Sequence, residues 1–348
     1  MKIWKAPQAL RRMLPVSGLI FLMMSSSLTA RDNLLQRAKS HFAPLPKAIE
    51  SSGNPITPEK TRLGKMLFYE TRISVDRTVS CFRCHWINLY ATDGLKKSIG
   101  NNYKPNPRNA PTVFNAAGQI SEHWIGNRTS VEDQAKQALI GPPSYGLASY
   151  AEAETRLKAI GGYDSLFATA FPDHKDPVNA DNFALAVGAW ERTLVTPSRF
   201  DRFLAGDTVA LDEREKAGLT TFMELGCIQC HNGTYVGGGI YAKFGLTQPY
   251  WNLTHSSEID EGRLAVTKKE EDRYFFKVPM LRNVEMTAPY FHDGSVERLE
   301  DVVRTMAQLQ LGIKLDDVQT ASIVSFLKSL TGKIPDDALT VPILPSEN

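Results

Sequence analysis

Two short stretches carry the most specific chemistry in the chain: Cys81-Phe82-Arg83-Cys84-His85 and Cys227-Ile228-Gln229-Cys230-His231. Each sets two thiols three positions apart with a histidine directly after the second, the spacing of c-type haem attachment. Thiols so spaced reach the two vinyl groups of one porphyrin, and the adjacent imidazole then sits beneath the iron as its proximal ligand. A redox dithiol needs no histidine. A zinc centre needs further Cys or His at finger-like spacing, which this sequence lacks. The two motifs use all four cysteines, so the expected cofactors are two covalently bound haem c groups.

The elements that must position these motifs read as helices. Thr57-Pro58-Glu59-Lys60 is a helix start, with Thr57 as N-cap and Pro58 at the first helical position; Leu63, Met66, Leu67 and Phe68 follow as an apolar stripe. Before the second motif, Asp212, Glu213, Glu215 and Lys216 open a helix carrying Leu219, Phe222 and Met223, which Gly226 ends. Both helices share Glu-Lys-x-x-Leu, at 59–63 and 215–219, which suggests a duplicated unit. Helical periodicity also covers 131–139, 151–160, 182–194 and 317–330. No strand pattern dominates. The expected fold is mainly α, with two cytochrome c-like haem domains in tandem, spanning 57–200 and 201–335. An irregular lead-in at 31–56 precedes them and a tail at 336–348 follows. The junction is expected at 197–210.

Charge excludes one class of partner. Lys and Arg number 40 against 38 Asp and Glu, a net of +2. Residues 1–30 hold Lys2, Lys5, Arg11 and Arg12 and no acid, so without them the count is 36 against 38, or −2. That balance offers no electrostatic footing for nucleic acid. The same 30 residues read as a secretory signal: a basic start, an apolar run over 13–24, and Ser25-Ser26-Ser27-Leu28-Thr29-Ala30 before a cleavage point. The run is short for a membrane span. A periplasmic protein with no membrane span after cleavage is expected, in agreement with haem c attachment outside the cytoplasm.

Five stretches occur together and in order: Leu63-Gly64-Lys65-Met66-Leu67-Phe68, the first haem motif, Arg108-Asn109-Ala110-Pro111-Thr112, Thr287-Ala288-Pro289-Tyr290-Phe291-His292, and Phe326-Leu327-Lys328-Ser329-Leu330-Thr331-Gly332. Over about 58–332 the chain resembles the bacterial di-haem cytochrome c peroxidases and the related MauG-type oxidases. From the residues alone Met280, Met286 and Met306 are all open as sixth ligands of the second haem. The resemblance selects Met306, 14 positions after His292, and makes that haem the electron-transfer one; a Tyr takes this place in MauG-type oxidases. The haem at His85 is then the peroxidatic one. Trp124, in His123-Trp124-Ile125-Gly126, matches the tryptophan between the haems. The resemblance also implies a calcium ion held by Asn115 and by the carbonyls of Thr287 and Pro289.

Two departures from the family bear on chemistry. Asn101 follows Ser98-Ile99-Gly100 where many members carry a labile His, so the His85 haem is expected to be uncapped unless His41 or His123 serves. The acid/base Glu expected after Gln134-Ala135-Lys136 falls at Ser144 or Tyr145, neither a carboxylate; Glu152 and Glu154 match nothing. Gln134 remains to polarise a bound ligand and Tyr145 to donate a proton. The resemblance implies reduction of hydrogen peroxide with electrons from a small cytochrome c or blue-copper protein. The alternatives are a MauG-like oxidase acting on a partner protein, with Trp86 beside His85 compatible, and a di-haem carrier without turnover. A homodimer is an arrangement open to the chain by analogy.

Overall fold

In the computed structural model, Met1 and residues 33–346 are described; the expected signal segment, Met1 aside, lies outside them. The chain is mainly helical. In order come α1 (33–39), α2 (Pro58–Tyr69), α3 (Val131–Ile140), α4 (Tyr150–Lys158), α5 (Tyr163–Ala170), α6 (Ala180–Glu191), α7 (Arg199–Leu204) and α8 (Glu213–Glu224). Then follow α9 (Trp251–Thr254), α10 (Leu264–Thr267), α11 (Leu299–Met306) and α12 (Asp317–Lys328). Among the described residues the sheet is one antiparallel pair, β1 (Tyr241–Lys243) against β2 (Phe275–Lys277), with Ala242 opposite Phe276. No described helix is long and apolar enough to cross a membrane.

The helices begin where side chains satisfy the free N–H groups of their first turns. Thr57 Oγ1 accepts from Lys60 N at 3.2 Å to start α2. Asp212 and Glu215 form a reciprocal capping box on α8, and Asp316 and Gln319 do the same on α12. α2 packs on α6 and α8 on α12. At each crossing a glycine lets the backbones meet: a Cβ on Gly64 would collide with the Ala186 carbonyl, and one on Gly218 with the Ser322 carbonyl. These glycines mark equivalent places in the two helix pairs. The shared Glu-Lys-x-x-Leu would pair Gly64 with Thr220 instead, so that sequence register is off by two.

One core gathers Leu63, Leu67, Leu139, Leu157, Phe167 and Phe183 from α2–α6. A second gathers Phe200, Phe203, Leu219, Phe222, Phe326 and Leu327 from α7, α8 and α12. Two expectations are corrected here. The lead-in is not irregular throughout: 33–39 is helical, and Leu35, Ala38 and Phe42 are buried in the second core. The segment after 335 is not a loose tail, since Ala338, with Ile334 just before it, packs on Phe68 and Trp190. Lys65 Nζ bonds the Asp337 carbonyl and Thr340 Oγ1, and Arg72 bonds the Pro345 carbonyl at 2.9 Å. Each end of the described chain therefore folds onto the core that is distant in sequence.

Candidate haem centres

Both motifs adopt one turn of 3₁₀ helix, Cys81–Arg83 and Cys227–Gln229. The turn closes through Cys84 N and His85 N on the Cys81 carbonyl (3.2 and 3.1 Å), and through Cys230 N and His231 N on the Cys227 carbonyl (3.2 and 2.9 Å). Gly226, at φ 88, supplies the left-handed residue that releases the chain from α8 into the second turn. All four cysteines are free. Burial pushes the Cys81 thiol up to about 12 and those of Cys84 and Cys227 to about 11. A redox dithiol works through an accessible thiolate of depressed pKa, so these protonated thiols suit attachment to a porphyrin better.

The histidines are prepared as neutral ligands. His85 Nδ1 lies 3.1 Å from the Ala91 carbonyl, which fixes its proton and leaves Nε2 as the lone pair. Burial holds its pKa below the ordinary value. His231 is pushed down to about 4 by burial, and its Nδ1 is buried without a hydrogen-bond partner, facing the Val236 and Pro279 carbonyls. Gly237, at φ 121, seals that side: a Cβ there would stand 2.5 Å from the Pro279 carbonyl and 3.2 Å from His231 Nδ1. The His231 ring lines a cavity of about 270 Å³ with mostly apolar walls, shared with Cys227, Cys230, Leu281, Val303 and Met306. The donor set and the walls fit a haem.

Of the three methionines, Met286 is exposed and stands apart from this cavity. Met280 reaches its wall but packs with Ala116 and Val131. Met306 lines the cavity from the last position of α11, where the helix widens into a π-helical turn, Ala307–Leu311. Such turns recur at functional sites because they re-aim a side chain without ending the helix.

Trp124 lines the same cavity. Its Nε1 donates to the Asn109 carbonyl at 2.9 Å, its own carbonyl accepts from Lys277 N at 2.8 Å, and its indole meets His292 edge-on at 6.4 Å. Thr287 and Pro289 are on this wall too, but Asn115 is not. Asn115 is fully buried, with Nδ2 donating to Thr196 Oγ1 (2.9 Å) and Oδ1 accepting from Thr196 N (3.1 Å). Its amide is committed to the junction between the cores, which corrects its assignment to a calcium site. Asn109 shares the cavity wall with Thr287 and Pro289, and its Nδ2 donates to the Leu95 carbonyl, leaving Oδ1 for a cation.

Around the first turn the remaining candidates separate. Asn101 is buried, and its Nδ2 donates to the carbonyls of Pro142 (2.6 Å) and Ser144 (2.7 Å), clasping the 98–103 loop to the 141–146 loop. Gln134 is half-buried on α3. Tyr145 is buried with its hydroxyl 3.7 Å from Cys81 Sγ and its ring edge-on to Phe183. Burial raises its pKa well above the ordinary value. Its hydroxyl thus addresses the thiol that a porphyrin would use. His41 is exposed, and its carbonyl accepts from Gly233 beside the second motif, away from the first. Sequence reasoning passed over Lys277, a buried ammonium bonded to Gln119 Oε1 and the Ser121 carbonyl at 2.8 Å each. Nothing in the strand pattern of β2 marks it.

A helical chain that presents two such turns, each with a neutral imidazole, has the build of a haem-dependent oxidoreductase. The family described as di-haem cytochrome c peroxidase matches residues 58–209. The cytochrome c551 peroxidase of Pseudomonas aeruginosa is 40% identical over 341 residues, 96% of each chain. That of Nitrosomonas europaea is 41% identical over 298 residues, 84% of this chain and 86% of the other. Among solved structures, a MauG-like protein associated with microbial copper homeostasis superposes with a TM-score of 0.75 at 28% identity, over 86% of this chain and 97% of that one. The chain belongs to the di-haem cytochrome c peroxidase family and is an oxidoreductase of peroxidase type.

Proposed function

We propose that this protein is a periplasmic peroxidase with two covalently bound haem c groups, reducing hydrogen peroxide to water with electrons taken singly from a small cytochrome c or blue-copper protein. One observation carries the reading: the surroundings of the two motifs differ in the sense the reaction needs. Met306 shares the cavity of His231, and a thioether ligand raises the potential of an electron-accepting haem. Near His85 the position of a capping histidine is held by Asn101, whose amide is committed to Pro142 and Ser144.

When bound, the haems store electrons and activate peroxide. The chain's own residues hold and orient. His85 and His231 present neutral Nε2 atoms, Trp124, on the wall of the His231 cavity, would carry electrons between the haems, and Gln134 offers an amide for polarising a ligand. A calcium ion at Asn109, Thr287 and Pro289 would brace the Trp124 segment, because Asn109 also accepts the indole N–H. The test mixes the holoprotein with peroxide and a reduced small cytochrome c and follows donor oxidation. Peroxide-dependent turnover is expected; its absence overturns the reading.

A MauG-like oxidase is the second reading, favoured by one feature. Trp86 is 43% exposed and stacks on Phe82 at 6.1 Å, which stacks on Tyr69 at 4.7 Å. These rings form a path from the first turn to the surface. No donor turnover, with a long-lived spectral change on adding peroxide, would select it.

A further inference from the structure

The cavity of His231 has a charge imbalance that the proposed reaction leaves unexplained. Its wall is mostly apolar and carries no Asp or Glu, yet two cationic side chains reach it, Arg282 and Lys277. Arg282 is balanced: its guanidinium donates to Asp201 Oδ2 at 2.7 Å, to Ser198 Oγ at 3.2 Å and to the Thr234 carbonyl at 2.9 Å. Lys277 is not. It is buried, and its Nζ donates to Gln119 Oε1 and the Ser121 carbonyl, both neutral. An ammonium has three N–H groups, so one remains to be used. Gln119 lines the cavity beside it. The acid whose field reaches Lys277 is Glu122, but the two form no ion pair. Burial holds Lys277 down to about 8, which still leaves it charged at neutral pH. A buried ammonium without a counter-charge is costly, and the chain itself supplies none at the cavity. Lys277 is also tied to Trp124, since its backbone N–H donates to the Trp124 carbonyl at 2.8 Å.

We infer that Lys277 is the propionate-binding cation of the second haem, its remaining N–H donating to one carboxylate and fixing that edge of the porphyrin beside Trp124. A haem c brings two propionates, and an apolar cavity without acids offers them nothing better than this ammonium. The same charge favours the electron that the haem accepts, so Lys277 raises its potential in the same sense as Met306. Through its backbone and side chain together, Lys277 holds both the segment that carries Trp124 and the haem edge from which Trp124 would receive the electron. The assignment rests on the reading that a haem c is attached at His231.

The experiment uses the holoprotein and its Lys277→Met, Lys277→Arg and Glu122→Gln variants. Each is half-reduced with a mild reductant, so that the haem of higher potential alone is ferrous. Resonance Raman then reads the propionate bending mode of that haem, and a redox titration reads its midpoint potential. In wild type the mode should be that of a carboxylate bonded to an N–H, displaced in heavy water. Lys277→Met should move the mode to that of an unbonded propionate and shift the potential down. Lys277→Arg, which restores a cationic donor, should return both most of the way. Glu122→Gln should leave the mode in place. Mode and potential unchanged in Lys277→Met overturn the assignment, and a lower melting temperature alone marks a merely structural lysine. A mode that moves in Glu122→Gln but not in Lys277→Met overturns it too, because the donor is then a protonated Glu122. Should the Met variant fail to fold, wild type decides: a mode indifferent to heavy water overturns the assignment. Wild type that carries no haem at the second motif overturns the reading beneath it as well, and the two failures are thereby told apart.

Discussion

In the first motif the imidazole fixes its tautomer on the Ala91 carbonyl at 3.1 Å; in the second, His231 keeps Nδ1 buried without a partner under a loop that Gly237 presses close. The turns themselves share a 3₁₀ backbone and the same closing hydrogen bonds. The helix pairs behind them share a glycine crossing. What differs is the set of loops that closes over each. Around His231 these are the 236–239 loop and the α11 terminus with Met306. Near the first motif it is the 98–103 loop, tied by Asn101 to 142–144. A duplicated scaffold can keep its stable parts and diverge in function through loops, because loop changes leave the packed crossings untouched.

The comparison breaks most visibly by removing one anchor. Cys227→Ala with Cys230→Ala should halve the haem content in a pyridine haemochrome assay and abolish donor oxidation, while the first centre keeps its own spectrum. Retention of both haems would contradict covalent attachment at the second turn. Met306→Leu comes next. It should lower the midpoint potential of the His231 haem by a sizeable part of the roughly 0.8 V span that axial ligands control, and a redox titration reads it directly. An unmoved potential would transfer the ligand role to Met280, the other methionine on that wall.

Much of this was legible in residue order. The attachment motifs, the caps at Thr57 and Asp212 and the apolar stripes of α2, α8 and α12 follow from local rules. What depended on tertiary context was not. Asn109 and Asn115 are the same residue type six positions apart, and only the fold shows that one faces the cavity while the other is locked on Thr196. Asn101 could be read as a poor iron ligand, but not as a clasp, because its acceptors are carbonyls about 40 residues away. His123 looked like any histidine beside a tryptophan; its burial and its Asn127 partner are properties of the packed structure. The crossings of Gly64 and Gly218 stayed hidden behind a short sequence repeat in a different register.

His123 also leaves a signature in stability. Its folded pKa is depressed from 6.5 to about 4, so the unfolded chain binds a proton that the folded chain refuses. The stability this contributes is complete above pH 6.5 and is lost as pH falls towards 4, by about 3 kcal/mol in total. Thermal melts between pH 7 and pH 4.5 should therefore show a steeper acid limb in wild type than in His123→Phe. Parallel curves would mean that the ring is already solvated in the folded protein.

The smallest expected effect tests the most particular difference between the centres. Asn101→His places in the 98–103 loop the residue type that caps the iron in many family members. The site around Asn101 does not accommodate it: Nδ2 serves two carbonyls at once, and a Cβ on Gly146, at φ 73, would be only 2.5 Å from that nitrogen. A neutral imidazole has one N–H, so at least one of the two carbonyls loses its partner, at a cost of about 0.5–1.5 kcal/mol. A fall of a few degrees in melting temperature is expected, with the loop freed from 142–144. If the freed loop then delivers the imidazole to the first centre, the oxidised protein should turn low-spin and need prior reduction to react with peroxide. If melting temperature and spectrum both stay as in wild type, Asn101 is no clasp. Either result shows whether the two centres differ by one loop contact or by the packing of the whole first core.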